Sequence, residues 1–336
     1  MALATRPAFD DLLDELADDG RCVHVERLPA RPERVGHLRR PLPPAINERL
    51  DGQPLWSHQA EALDLLRDGA HTVLATGTAS GKSRCFQLAI AEAVADPVRP
   101  GTALVLYPTK ALAHDQLVSL TGFEFPGVVA GAYDGDASPE EKAWIRDQAN
   151  VVLTNPEMLH GGLLPRHTKW EALLMRLRYV VIDELHVYRG VFGTHVAHVV
   201  RRLRRLCRHY GTDPTFVFCS ATIGHPERLA SELCGAPVTA VTADGSPRGE
   251  QRFALLDPPV VDADSGARSS ANSETAAVTA ALVRSGHRTI TFCRSRKGTE
   301  LVAADVRRRL PADLADAVVP YRGGFLASER RAIEHD

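Results

Sequence analysis

No two of the six cysteines form a Cys-x-x-Cys pair. Cys22, Cys85, Cys207, Cys219, Cys234 and Cys293 are scattered along 336 residues. That spacing argues against a zinc ribbon or a disulfide framework and fits a reducing cytosol. Charge of one sign is missing too. The 40 Lys and Arg against 42 Asp and Glu leave a net charge of −2, so the overall field announces no nucleic-acid partner. Any such binding has to come from local basic surface. There is no run of about 18 apolar residues. The N-terminus lacks a signal-peptide core, and no internal repeat is visible. The expectation is a cytoplasmic protein with no membrane partner.

What remains is ordinary globular material, 44% hydrophobic and 24% charged, long enough for two domains with sizeable cores. One stretch organises it. The apolar run His71–Thr76 reads as a buried parallel strand. Ala75-Thr76-Gly77-Thr78-Ala79-Ser80-Gly81-Lys82-Ser83 follows as a tight turn. A helix then opens at Ser83, with Phe86, Leu88, Ala89, Ile90, Ala93 and Val94 as its apolar residues. Strand, turn, Gly-Lys-Ser and helix form the layout of a phosphate-binding loop. Successive N–H groups and the positive helix end can cradle a polyphosphate. Gly81 allows close backbone approach. Lys82 can reach the β- and γ-phosphates, and the Ser83 hydroxyl can ligate Mg²⁺. Thr76 is off-pattern, because the strict signature has Gly five residues before Gly81.

Residues 8–19 carry Phe9, Leu12, Leu13 and Leu16 at helical spacing. Leu28-Pro29-Ala30-Arg31-Pro32 and Arg39-Arg40-Pro41-Leu42-Pro43-Pro44 read as an extended connector, not as core. A first domain is expected from Asp51 to residue 245, opening on a helix Ser57–Leu66 with Ser57 as N-cap. Apolar strands are expected at Thr102–Tyr107, Val128–Tyr133, Asn150–Thr154, Tyr179–Ile182 and Thr215–Cys219. Each ends in a polar cluster: Pro108-Thr109-Lys110, Asp134-Gly135-Asp136, Asn155-Pro156-Glu157, Asp183-Glu184-Leu185-His186 and Ser220-Ala221-Thr222. Strands alternating with helices imply an α/β fold, a parallel sheet covered on both faces whose ligands sit beyond the carboxyl ends of the strands. Residues 246–275 read as a linker or surface loop. Residues 276–336 read as part of a second α/β domain, with strands Arg288–Cys293 and Ala317–Tyr321 and helices Lys297–Leu310 and Ser328–His335.

Asp183 and Glu184 end a strand of the same sheet as the phosphate loop. A Mg²⁺–nucleotide site needs carboxylates there, one for the metal's water shell and one to deprotonate an attacking water. Three other features are set aside. His195 and His198 lack a third ligand at sensible spacing. Arg201, Arg202, Arg204, Arg205 and Arg208 are the solvated face of a helix whose buried stripe is Val196, Val199, Val200, Leu203 and Leu206. Cys219 ends a buried strand with no partnered base.

Taken together, Gln59, the Ser80-Gly81-Lys82-Ser83 loop, Pro108-Thr109-Lys110-Ala111-Leu112-Ala113, Thr154-Asn155-Pro156-Glu157, Asp183-Glu184-Leu185-His186 and Ser220-Ala221-Thr222 follow the order found in superfamily-two DEAD/DEAH-box helicases. The chain most resembles the YprA-like branch of DNA-repair helicases, where Thr78-Ala79-Ser80-Gly81-Lys82-Ser83 is the usual spelling. Tyr321-Arg322-Gly323-Gly324-Phe325 also looks like this branch. The resemblance implies a RecA-like first lobe followed by the first part of a second RecA-like lobe. It assigns Gln59 to the adenine edge and Thr76 through Ser83 to the phosphates. Ser83 and Asp183 fall to Mg²⁺, and Glu184, with Asp183 and Lys82, to hydrolysis. His186, Ser220 and Thr222 would couple nucleotide state to the nucleic-acid face. Pro108, Thr109, Lys110, Thr154 and Arg294 would meet the backbone of single-stranded or partly duplex DNA, with RNA left open. ATP and Mg²⁺ are the implied cofactors.

Nothing in the sequence matches the Gln-x-x-Gly-Arg-x-Gly-Arg segment of a second helicase lobe, or the cysteine-rich C-terminal domain of this branch. The expectation is a fragment or a degraded or split helicase, with weak ATP binding and very low turnover. The alternatives are an ATP- or DNA-binding regulatory fragment without catalysis and another phosphate-loop ATPase, such as a restriction or translocase subunit.

Overall fold

A computed structural model describes residues 9–325 and residue 333. Strands occur at β1 (Cys22–Leu28), β2 (Thr72–Ala75), β3 (Thr102–Leu106), β4 (Ala130–Ala132), β5 (Val151–Thr154), β6 (Leu177–Ile182), β7 (Thr215–Ser220), β8 (Thr239–Val241), β9 (Gln251–Leu256), β10 (Val260–Asp262) and β11 (Ala267–Arg268). The chain forms two compact units. One is Ala30–Gly249; the other joins Met1–Pro29 to Glu250–Asp336.

The larger unit is built on a seven-stranded sheet in the order β4-β5-β3-β6-β7-β2-β8, parallel throughout. Side chains alternate across it, as a pleated strand dictates. Leu74, Ala103, Val105, Val151, Leu153, Tyr179, Val181, Val217 and Cys219 enter one core. Val73, Leu104, Leu106, Val152, Val180, Ile182, Phe216 and Phe218 enter the other. Both faces are therefore buried, which is why each strand reads as a continuous apolar run. Helices Ser57–Arg67, Lys82–Val94 and Lys110–Gly122 cover the first face, and Gly190–His209 and Pro226–Cys234 the second. The six strands expected in this unit are all present, and the short edge strand β8 joins them.

Register aligns the strand ends. Leu106 is opposite both Thr154 and Ile182, and Ala75 is opposite Ser220. Every polar cluster that follows these strands is thereby brought to one edge. The proline-rich stretch departs from expectation. Leu42, Ile46 and Leu50 are buried in the first core, with a short helix at Pro44–Asn47. Pro44 opens that turn, where a missing N–H costs nothing.

In the smaller unit β1 pairs antiparallel with β9, and β10 with β11. The segment expected as a linker, 246–275, thus carries three strands and the start of helix Ala271–Arg284. That helix packs on Arg296–Arg309 through Ala276, Ala280, Val302 and Val306. The strands expected at 288–293 and 317–321 are absent. A strand needs a neighbour to satisfy its backbone, and among the described residues none pairs there; Ile290 and Phe292 stand 83% and 90% exposed. The helix expected at Ser328–His335 lies largely outside the described residues. Among the described residues no helix is long and apolar enough to cross a membrane.

Candidate nucleotide site

The phosphate loop leaves β2 at Ala75 and enters helix Lys82–Val94. Two of its residues lie in left-handed backbone, Ala79 at φ 57° and Gly81 at φ 64°. A Cβ at Gly81 would lie 2.6 Å from Gln59 Nε2 and 3.2 Å from Trp56 Cζ3, so glycine is required there by close approach as well as by conformation. Thr76, the off-pattern residue, keeps negative φ and needs no glycine. It is buried, and its hydroxyl lies 2.6 Å from Ser80 Oγ, which donates to the Gly77 carbonyl at 2.8 Å. The side chains brace the turn from inside. Lys82 Nζ donates to the carbonyls of Thr76 (3.2 Å) and Gly77 (2.7 Å). Among the described residues, the N–H groups of Ala79 through Ser83 meet no acceptor, and Thr78 and Ala79 face solvent. Such consecutive unpartnered donors at a helix start form an anion cradle.

Gln59 sits behind the loop, 1% exposed. Its Oε1 accepts Trp56 N–H at 3.0 Å, and its Nε2 donates to Gly81 O at 3.0 Å. This corrects the N-cap: Trp56 holds that position and Ser57 is the first helical residue. Trp56 lies against the loop at Gly81 and donates Nε1–H to Glu33 at 3.3 Å.

Beyond β6, Asp183 donates its N–H to Leu106 O (3.0 Å) and accepts Glu184 N–H on Oδ1 (2.8 Å). Burial pushes its carboxyl up from 3.8 to about 6; the Glu184 N–H opposes that rise, the Glu184 charge adds to it, and Lys82 opposes it. Glu184 is itself left-handed, at φ 53°, an uncommon conformation for a residue with a Cβ. His186 Nδ1 lies 3.2 Å from Glu184 Oε2 and 3.5 Å from Ser220 Oγ. Of the three residues expected to couple nucleotide state to the nucleic-acid face, His186 and Ser220 are thus within reach of each other, while Thr222 is exposed.

At the end of β3, Pro108 and Lys110 are part-exposed and Thr109 is exposed. Thr109 caps helix Lys110–Gly122, accepting Leu112 N–H at 3.4 Å. Lys110 Nζ pairs with Asp136 at 2.7 Å. Thr154 is buried and donates its hydroxyl to Tyr133 O at 2.6 Å, so that hydroxyl is turned into the sheet. Arg294 is exposed in the smaller unit, beside Ser295, which caps helix Arg296–Arg309.

The features set aside are accounted for. Cys219 is buried in the core, and burial raises its thiol well above the ordinary range. His195 and His198 are exposed, and no metal-holding cluster occurs among the described residues. Arg204 is no solvated side chain. It donates to the carbonyls of Cys234 (2.8 Å) and Gly235 (3.1 Å), closing the end of the neighbouring helix.

Sequence reading missed a second set of residues around the loop. His58, wholly buried, has Nε2 2.9 Å from Ser80 O, and its Nδ1 accepts Gly245 N–H at 3.1 Å. Asp244 Oδ2 accepts Gly77 N–H at 3.4 Å and pairs with Arg31 at 2.8 Å. The one visible signal was the side chain of His58, adjoining Gln59.

A parallel sheet with this loop and carboxylate pair at one edge is a RecA-like, phosphate-loop lobe. The DEAD/DEAH box helicase family matches residues 56–229, and the chain belongs to that family. It is 36% identical over 343 residues to the uncharacterized ATP-dependent helicase YprA of Bacillus subtilis, a match that covers 98% of this chain and 45% of that protein. Two solved structures of the DUF1998 helicase MrfA are 36% identical and match 98% of this chain. The one bound to DNA has a TM-score of 0.90 with 45% of its chain covered; the one bound to DNA and AMPPNP has 0.89 with 47% covered. The chain thus spans about half the length of these relatives.

Proposed function

We propose that the chain binds ATP at residues 76–83 and belongs to a cytoplasmic enzyme that couples ATP hydrolysis to movement on single-stranded or partly duplex DNA. The observation that carries this reading is the run of unpartnered N–H groups from Ala79 to Ser83, beside Lys82 and separated by the single strand β7 from Asp183-Glu184. Lys82 would exchange two backbone carbonyls for phosphate oxygens. Gln59 keeps one N–H and one lone pair uncommitted, the complement of an adenine edge. Relatives described as ATP-dependent and as bound to DNA and AMPPNP support the same reading.

The residues present suit Mg²⁺, a hard cation that takes one or two carboxylates plus phosphate and water oxygens. Asp183 is a half-buried carboxylate that feels the charge of Lys82 in the loop but makes no direct ion pair among the described residues, and Ser83 offers a hydroxyl across the loop. The ion's chemistry there is to neutralise charge on the β- and γ-phosphates. Glu184 takes the proton of the attacking water, and His186 relays its position to Ser220. Pro108, Thr109 and Lys110 would meet the DNA backbone, as would Arg294 on its own unit. Thr154 would support that surface from behind.

The test is ATP turnover with and without single-stranded DNA, for this chain and for Glu184→Gln. A very low turnover that DNA stimulates and Glu184→Gln removes, with weak ATP binding retained, is expected of these 336 residues. Equal inertness of both proteins, with binding intact, would leave a binding module instead of a catalyst.

A further inference from the structure

Asp244 lies outside the motifs named above and beyond the residues 56–229 that the family matches, yet it reaches the phosphate loop. The topology explains how. β8 flanks β2, with Val241 opposite Leu74. The chain leaving β8 therefore runs beside the chain leaving β2, and three residues past Val241 it presents Asp244 at Gly77, the second residue of the loop after β2. The carboxylate is held at both oxygens. Oδ1 accepts Ser246 N–H at 2.9 Å and lies 2.7 Å from its hydroxyl. Oδ2 takes Arg31 at 2.8 Å and Gly77 N–H at 3.4 Å.

The next residue works on the other end of the loop. Gly245 N–H donates to His58 Nδ1, which fixes the tautomer: Nε2 carries the proton and donates to Ser80 O. The approach is close. A Cβ on Gly245 would strike Ser57 Oγ and lie 3.0 Å from Arg34 O. The segment 31–36 seals the arrangement, with Arg34 N–H on Gly245 O at 2.8 Å and Ser57 N–H on Arg34 O at 2.7 Å. One dipeptide thus grips the turn Gly77–Ser80 at its first residue directly and at its last through His58. Those grips turn the outer peptide groups of the turn inward, away from the free N–H groups of Ala79 to Ser83.

We propose that Asp244 and His58 are positioning residues that preset the phosphate loop for the nucleotide's phosphates. The proposal rests on the reading of the loop as an ATP site. Preorganised donors lose little order on binding, so loosening the grip shows as lost affinity and not as lost fold. Asp244→Asn is the sharp variant. Its amide oxygen still serves Ser246 and keeps the local turn, while its NH₂ faces two donors, Gly77 N–H and Arg31.

The experiment is titration of a fluorescent ATP analogue with Mg²⁺ into the full 336-residue chain, with melting followed by circular dichroism. The variants are Asp244→Asn, Arg31→Gln and Lys82→Ala. Asp244→Asn is expected to weaken binding about 10-fold, the scale of a lost bond to a charged acceptor, with its melting point close to that of the parent. Arg31→Gln keeps Asp244 and its contact with the loop, so it stays folded and weakens binding about 3-fold. If both variants bind as the parent does while Lys82→Ala has lost binding, the positioning role is wrong and the ATP site stands. If Asp244→Asn melts early and Arg31→Gln, still folded, binds as the parent does, Asp244 is merely structural and the proposal is overturned. If the parent binds no better than Lys82→Ala, the ATP reading itself fails, and the proposal with it.

Discussion

Replacing Asp183 by Asn should make the protein more stable while removing the Mg²⁺-dependent turnover proposed above. Burial lifts this carboxyl from 3.8 to about 6. The sign follows from proton binding. Between those values the folded state holds a proton that the unfolded state has released, so stability falls as pH rises through the window. The cost is absent below 3.8 and fully present above about 6. Its ceiling is about 3 kcal/mol at neutral pH, at ~1.36 kcal/mol per pH unit. Water reaches the half-buried carboxylate, so screening brings the expected cost to about 1.5 kcal/mol. Asn is neutral and nearly isosteric, and its carbonyl can still accept Glu184 N–H. A gain of about 1.5 kcal/mol corresponds to roughly 3–6 °C in a unit of this size. The assay is thermal melting with a chelator present, at pH 7.5 and again at pH 4.5. The rise should appear at pH 7.5 and shrink to about a third of that at pH 4.5. A lower melting point at pH 7.5, or the same rise at both pH values, would refute the argument that the carboxylate is held at a cost for function.

Gly81→Ala should abolish analogue binding and lower stability by about 1–3 kcal/mol, because the new Cβ meets Gln59 Nε2 at 2.6 Å in left-handed backbone; equilibrium binding and urea unfolding check both halves. Lys110→Ala should weaken DNA binding uniformly across sequences and reduce the slope of log affinity against log salt by about 1, since phosphate contacts carry no base information. The exposed pair with Asp136 is a weak competitor for that lysine. A slope unchanged by the substitution would remove Lys110 from the interface.

The legible part of this chain was the part where local pattern and tertiary role coincide. Each central strand is apolar on both faces and ends in a polar cluster, so Thr102–Leu106 or Thr215–Ser220 could be read from neighbours in sequence alone. β8 was illegible because three residues, Thr239–Val241, carry too little pattern. β9 hid in a segment that read as a linker and β1 in a stretch with no strand signal of its own, and they exist because they pair with each other across more than two hundred residues. Arg288–Cys293 shows the converse. Its composition suits a strand, but a strand is a property of two segments, and no described residue pairs with it. The same distinction holds at the site. The phosphate loop, Asp183 and Glu184 announce themselves locally. Asp244 does not, because nothing within its own segment reveals that Gly77 and His58 lie against it.

The polar strand ends do more than chemistry. In a strand buried on one face only, a one-residue slip exposes its hydrophobic set, so the pattern fixes the register. Here it cannot. Shifting β6 by one residue would exchange Tyr179 and Val181 for Val180 and Ile182, and both sets are apolar and buried. What resists the slip is Asp183. Its N–H bonds Leu106 O as the last rung of the ladder while its carboxylate turns to the open edge. Moving it one step inward would bury a carboxylate among Leu106, Phe218 and their neighbours, which costs several kcal/mol at least. Thr154 acts similarly on β5, where its hydroxyl is satisfied only at the Tyr133 carbonyl. The residues assigned to ATP and DNA are then also the marks that hold a uniformly apolar sheet in one register. A neutral residue at 183 should therefore stabilise the aligned sheet and yet lower the barrier against its misaligned forms. Asp183→Asn would melt later but refold with a larger slow or aggregating fraction than the parent, a pairing of effects that a simple loss of strain would not produce.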